Sequence, residues 1–347
     1  MEKIKVGIIG AGKIAERLHL PQYSECSNVS IIAICDIIKK KAEKLAKQYK
    51  IPKIYTDYEK MIKEADIDAV SICTPNYLHS PMTIFAAKNK KHILVEKPMA
   101  LSIKEMKDMI KECKNNNVIL MVEQTQRFDP AHEILKEIVD SGILGKIATI
   151  RGKLGHSGPE FWSDDSPWFF DKKKSGGGVS VDVGIHILDL IRFVLNDKEI
   201  ESVCAKTANL IKKKIKLEDT INAVIKFKDG ILGSFEASWS TSPYEVRVEV
   251  CGSHGKAIVQ QANADPQRIR VWTIDPKNPY NTIKEHKYNI PEKSKHMSPC
   301  AHFINCIIKK QKPIIDGEQG MKSMAVILAA LKSAKTGKFE KVFEKDG

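Results

Sequence analysis

The feature that most restricts the fold of this chain is an alternation near its start, where short β-branched runs take turns with helical stretches. Ile4 to Ile9 precedes Ile14 to Tyr23, and Ile31 to Cys35 precedes Lys39 to Tyr49. Ala69 to Cys73 then precedes Pro81 to Lys88, Ile93 to Val95 precedes Ile103 to Lys114, and Val118 to Val122 closes the series. Apolar runs of about five residues, each followed by a helix, suit a parallel sheet covered on both faces, since every crossover must carry the chain back to the same end of the sheet. Such sheets bind ligands at the carboxyl ends of their strands. Residues 1–124 are therefore expected to form a doubly wound α/β domain.

Beyond a helical stretch from Pro130 to Ser141 the texture changes. Lys146 to Leu154, Ile200 to Ala208, Ile221 to Phe227, Ile231 to Trp239, Glu245 to Cys251 and Arg268 to Ile274 read as longer, mostly antiparallel strands. Asp229-Gly230 lies between two of them and reads as a two-residue hairpin turn, with positive φ at both positions. Apolar helices from Pro299 to Lys309 and from Gln319 to Thr336 end the chain, and there is no internal repeat. The expectation is a second α/β domain over residues 125–347. With 347 residues and 42% of them hydrophobic, both domains have material for a buried core, and wholesale disorder is excluded.

Charge and cysteine usage narrow the class further. Lys plus Arg total 56 against 43 Asp plus Glu, a net +13, but only seven of the 56 are Arg. Base-specific readers of nucleic acid rely on Arg, whereas these lysines are scattered in short runs such as Lys39 to Lys41, Lys172 to Lys174 and Lys212 to Lys214. They read as solvated faces, or as attraction for phosphorylated ligands, and no specific nucleic-acid partner is expected. The eight cysteines form no CxxC pair and read as reduced thiols. Strand-like sequence begins by Lys3, and the longest apolar runs, such as Ala325 to Leu331, fall far short of a membrane span, so the expected location is the cytoplasm.

Three constellations carry chemistry. Gly10-Ala11-Gly12-Lys13-Ile14-Ala15 follows the first strand and opens a helix, the setting in which a GxGxxA turn lets a pyrophosphate approach the backbone. Asp36, 24 residues past Gly12, ends the next strand, where a carboxylate accepts hydrogen bonds from a ribose hydroxyl. The pattern predicts dinucleotide binding, with NAD favoured because a carboxylate repels a 2′-phosphate; Lys39 to Lys41 leave NADP possible. Thr74-Pro75-Asn76 to His79 and Glu96-Lys97-Pro98 lie at the ends of the following strands. A lysine there can stabilise charge developing on a substrate oxygen. The third segment runs from Gly176-Gly177-Gly178 through Asp182 and His186 to Asp189, with Asp182 and His186 four apart on one helix face. That pair can bind a hydroxylated substrate and exchange a proton with it, or be an ordinary helix cap and a core histidine; the three glycines suggest a close approach of backbone. HExxH, metal-spaced Cys/His clusters, GxSxG and P-loop patterns are missing, and no metal is expected.

These segments, with Arg127-Phe128-Asp129-Pro130 and the closing Asp316-Gly317 to Ser333 stretch, resemble the Gfo/Idh/MocA oxidoreductases over essentially the full length. The resemblance implies a Rossmann domain followed by an α/β domain with a large open, mostly antiparallel sheet, used as an interface in homodimers or homotetramers. It implies Lys97, Asp182 and His186 around the substrate carbon, with His186 as general base, Lys97 polarising the oxygen and Asp182 holding it. Gly10, Gly12, Lys13, Ile14, Asp36, Thr74, Asn76, His79, Glu96, Lys97, Gln124, Arg127 and Trp168 are the implied cofactor surface. His156 and Trp162 are candidates for the sugar pocket. The implied activity is transfer of hydride between nicotinamide and a secondary hydroxyl or keto carbon of a sugar, cyclitol or sugar derivative. Two other activities occur among such proteins, NAD-assisted glycoside cleavage and non-catalytic dinucleotide sensing.

Overall fold

The computed structural model of the chain describes residues 3–160, 167–262, 268–280 and 282–343. Two compact units emerge. The first comprises Met1–Gln124, Lys173–Gly176 and His296–Met321; the second comprises Thr125–Lys172, Gly177–Lys295 and Lys322–Gly347. Lys173–Gly176 and His296–Met321 thus sit with the first unit, where two contiguous domains would have given them to the second.

In the first unit, β1 (Ile4–Ile9), β2 (Val29–Cys35), β3 (Lys53–Tyr55), β4 (Ala69–Ile72), β5 (His92–Glu96) and β6 (Leu120–Glu123) form one parallel sheet in the order β3-β2-β1-β4-β5-β6. Every residue of β4 is buried, as is β5 from Ile93 onward, which is the continuous apolar pattern that helices on both faces demand. The chain direction reverses its sideways march between β1 and β4, and the loops after those strands open the crevice in which sheets of this order bind ligands. Helix starts are fixed locally. Asp57 accepts from the amides of Glu59 and Lys60 before Tyr58–Glu64, and Ser102 accepts from Glu105 before Ile103–Asn115 while the Glu105 carboxylate takes the Leu101 amide.

In the second unit, β7 (Ile147–Gly155), β8 (Ile200–Ala208), β9 (Thr220–Phe227), β10 (Leu232–Ser238), β11 (Glu245–Gly252), β12 (Gly255–Ala262), β13 (Ile269–Thr273), β14 (Lys284–His286) and β15 (Glu340–Lys341) build a nine-stranded sheet. Its order is β14-β13-β12-β11-β7-β10-β9-β8-β15, antiparallel except where β10 pairs β7 in parallel. From Ile221 to Phe227 buried and exposed side chains alternate strictly along β9, so one face is packed and the other looks outward. The hairpin between β9 and β10 differs from expectation: Lys228, Asp229 and Gly230 form a three-residue loop closed by Gly230 N–H to Phe227 O, and of that pair only Gly230 has positive φ. A type I turn followed by one left-handed residue needs a single glycine, which Gly230 supplies. Among the described residues no helix is long and apolar enough to cross a membrane.

Candidate active site

At the carboxyl edge of the parallel sheet, Gly10 turns the chain at φ +96°, and a Cβ placed there would lie 2.5 Å from the Cys73 carbonyl oxygen. No other residue fits. Two residues on, a Cβ at Gly12 would meet nothing within 4 Å, so the backbone here is open to a ligand. Lys13 is half-buried and Ile14 exposed. The Asp36 carboxylate faces this turn, accepting from Ala11 N–H at 2.7 Å through Oδ2 and from Ile38 N–H at 2.8 Å through Oδ1. Turn, open backbone and carboxylate together fit an adenosine diphosphate moiety.

Next along the edge, Asn76 is buried and donates from Nδ2 to Ser175 O at 2.8 Å. His79 is buried with Nδ1 2.8 Å from Pro98 O and Nε2 2.9 Å from Thr74 O, so it ties the loop after β4 to the Lys97-Pro98 turn. Burial pulls its pKa below the ordinary value, against the two carbonyls that favour the charged ring. Glu96 is also buried; Oε1 lies 2.9 Å from His19 Nε2, and Oε2 accepts the Lys97 amide at 3.2 Å. His79 and Glu96 therefore brace the segment that carries the half-buried Lys97. Gln124 is buried directly after β6.

Beside Glu96 lies a group the sequence reading did not single out. Glu123 ends β6 in register with Glu96 on β5, is 1% exposed, and among the described residues neither carboxyl oxygen has a hydrogen-bond partner. Burial, and behind it the Glu96 charge, push its carboxyl well above the usual carboxylate range. Cys73 and Cys300 share this interior, with thiols raised by burial, which removes thiolate chemistry from the site. The available signal was an acid ending the apolar run Leu120 to Val122 at the same sheet edge as Glu96.

In the second unit, Ser180–Gly184 is a wide π-helical turn that runs into the α-helix Ile185–Val194. Asp182 lies in the turn and His186 one turn later, both half-buried. The glycines before them approach backbone, but the chain's own: a Cβ at Gly178 would stand 2.2 Å from Glu218 O. Glu218 fixes the segment by accepting Gly178 N–H at its carboxylate and Val179 N–H at its carbonyl. Asp182 Oδ2 receives the indole N–H of Trp239 at 2.9 Å, and His156 Nε2 stands 3.8 Å from the same oxygen. Trp168 occupies the short helical turn Pro167–Phe170 and packs on Phe169, which in turn packs on Trp239. Trp162 lies outside the described residues.

Arg127, implied for the cofactor surface, lies inside a buried ion-pair network. It is 0% exposed and forms a bidentate pair with Asp189, Nε to Oδ2 at 2.7 Å and Nη2 to Oδ1 at 2.8 Å, and Nη2 also donates to Asp197 at 2.7 Å. Ser323 donates to Asp189 Oδ1 and accepts from Arg192. A buried guanidinium needs such carboxylates around it, and this network pins the His186 helix.

Residues 4–124 match the family described as "Oxidoreductase family, NAD-binding Rossmann fold", and residues 132–258 match the GFO/IDH/MocA C-terminal domain. The chain is 33% identical over 278 residues to the uncharacterized oxidoreductase YrbE of Bacillus subtilis, covering 79% of this chain and 78% of that one. It is 28% identical over 334 residues to myo-inositol 2-dehydrogenase of Thermotoga maritima, covering 95% and 96%. The crystal structure of aldose-aldose oxidoreductase from Caulobacter crescentus, complexed with glycerol, superposes with a TM-score of 0.84 at 26% identity over 98% of this chain and 100% of that one.

Proposed function

The chain belongs to the Gfo/Idh/MocA family of oxidoreductases, whose amino-terminal domain is an NAD-binding Rossmann fold, and from that premise we propose that it is an NAD-dependent dehydrogenase of sugars, cyclitols or their derivatives. The reacting group is a secondary hydroxyl or the corresponding keto carbon. Myo-inositol 2-dehydrogenase and aldose-aldose oxidoreductase among the similar proteins support that substrate class. The observation that carries the reading is the Asp182–His186 pair, placed on one face by the π-to-α junction and half-buried, with the Asp182 carboxylate already aimed by a buried donor.

In the first unit, Gly10, Gly12, Lys13 and Ile14 hold the pyrophosphate side of the cofactor, Asp36 takes the adenosine ribose, and Thr74 and Gln124 border it. NAD, when bound, supplies the hydride acceptor. Lys97 polarises the substrate oxygen, and its backbone is held by Glu96 and His79. From the second unit, His186 accepts the hydroxyl proton, Asp182 hydrogen-bonds the substrate, and His156 adds a further polar contact; Trp168 contributes an aromatic wall. Homodimers or homotetramers form through the outward face of the nine-stranded sheet, where Lys153–Glu245 and Arg247–Glu249 pairs make a charge-balanced surface. A cytoplasmic location belongs to the same reading.

The test is a pair of variants. Lys97→Ala and His186→Ala are each expected to lower turnover by about two to four orders of magnitude, the scale of a positioned proton-transfer group, while NAD affinity measured by calorimetry stays near wild type. Wild-type turnover in both variants would overturn the assignment.

A further inference from the structure

Trp239 is the largest fully buried side chain among the described residues, 0% exposed directly after β10. Its backbone is anchored by its own N–H to Asp219 O at 2.8 Å. Asp219 is in turn fixed by the backbone amides of Leu210, Ile211 and Lys212. Phe169 packs against the indole with ring centroids 6.0 Å apart. The indole N–H is its one polar atom, and it points at Asp182 Oδ2.

We propose that Trp239 is a positioning residue of the reaction centre, acting through Asp182: its N–H fixes the carboxylate that holds the substrate. An indole donates and cannot accept or titrate at working pH, so it orients Asp182 without competing for the proton that His186 takes. His156 completes the arrangement. Gly158 N–H donates to His156 Nδ1 at 3.0 Å, which places the proton of the neutral ring on Nε2, the nitrogen facing Asp182 Oδ2. The indole N–H thus holds that oxygen in a hydrogen bond, and His156 Nε2 faces it from 3.8 Å without bonding it. A carboxylate so held needs no reorganisation as the substrate oxygen sheds its proton.

This inference rests on the dehydrogenase reading, and the experiment separates the two. The protein with Trp239→Phe keeps the ring packing and loses the N–H; kcat is expected to fall about ten- to hundredfold, the scale of one hydrogen bond to a charged group, with KM for NAD unchanged. In an Asp182→Ala background, which has no acceptor for the indole N–H, the same change is expected to cost nothing further, since the two residues act as one. Because a buried substitution can impair folding, benzothienylalanine at position 239, which replaces the N–H by sulfur at nearly the same shape, is measured in parallel and is expected to match Trp239→Phe. Full turnover in either folded variant, or additive losses with Asp182→Ala, would overturn the inference and leave the dehydrogenase standing. A wild-type chain inactive on every sugar and cyclitol tested would overturn both.

Discussion

A carboxyl group with no partner cannot remain charged in an apolar interior, because the desolvation cost far exceeds the cost of holding a proton. Glu123 is in that position, with Glu96 opposite on β5 and Tyr23, Cys73 and Cys300 around it, and its pKa lies well above the value of an exposed carboxylate. The sign of the linkage follows. The folded state binds this proton more tightly than the unfolded chain, so the stabilisation is complete below the unfolded value near 4.5 and is lost as pH rises through the folded value. Glu123→Gln imitates the protonated acid, and its melting temperature is expected to gain on wild type steadily as pH is raised above 5. Parallel melting curves across the pH range would contradict a neutral Glu123. Asp36 makes a different prediction at this scale: Asp36→Ala removes the charge that repels a 2′-phosphate and is expected to narrow the ratio of NAD to NADP affinity. An unchanged ratio in a titration with both cofactors would move the ribose contact elsewhere.

Among the elements, the π-to-α helix 180–194 carries the most consequence, because one segment holds both the proposed reaction pair and a buried anchor. Asp182 and His186 are half-buried, while Asp189 is consumed by Arg127. Removing one partner of such a buried pair strands the other charge, and Arg127→Met is expected to destabilise the fold by about 3–5 kcal/mol in urea unfolding. A loss below 1 kcal/mol would show that the network is dispensable. The same helix shows where sequence reading ends. Its periodicity was legible, as were the buried strands β1, β4 and β5, because uninterrupted apolar runs have few other homes. The three-residue edge strand β3 was not, since it is mostly exposed, nor was β12, whose Lys256, Gln260 and Gln261 dilute the apolar pattern. Parallel pairing of β7 with β10 is likewise invisible in either strand alone, because it depends on which neighbour each strand meets. The glycine turn and Asp36 declared themselves because their chemistry is local. The Trp239–Asp182 bond joins residues 57 apart, and the burial of Arg127 depends on Asp189, 62 residues away; each is a product of tertiary packing.

At the scale of the whole molecule, the chain has a Rossmann unit and a unit built on the nine-stranded sheet, and the family relationship spans both. The outward sheet face with its balanced ion pairs predicts assembly: light scattering of the purified protein is expected to give two or four times the chain mass, and a stable monomer would remove the sheet from that role. The central claim is the reaction itself. Its most direct measurement is absorbance at 340 nm with NAD, and separately NADP, against a panel of sugars, inositols, uronates and nucleotide sugars. The account predicts that reduced cofactor accumulates with one group of these polyols and faster with NAD than with NADP. Silence across the panel from protein that still binds NAD would contradict it, and would turn attention to NAD-assisted glycoside cleavage or dinucleotide sensing.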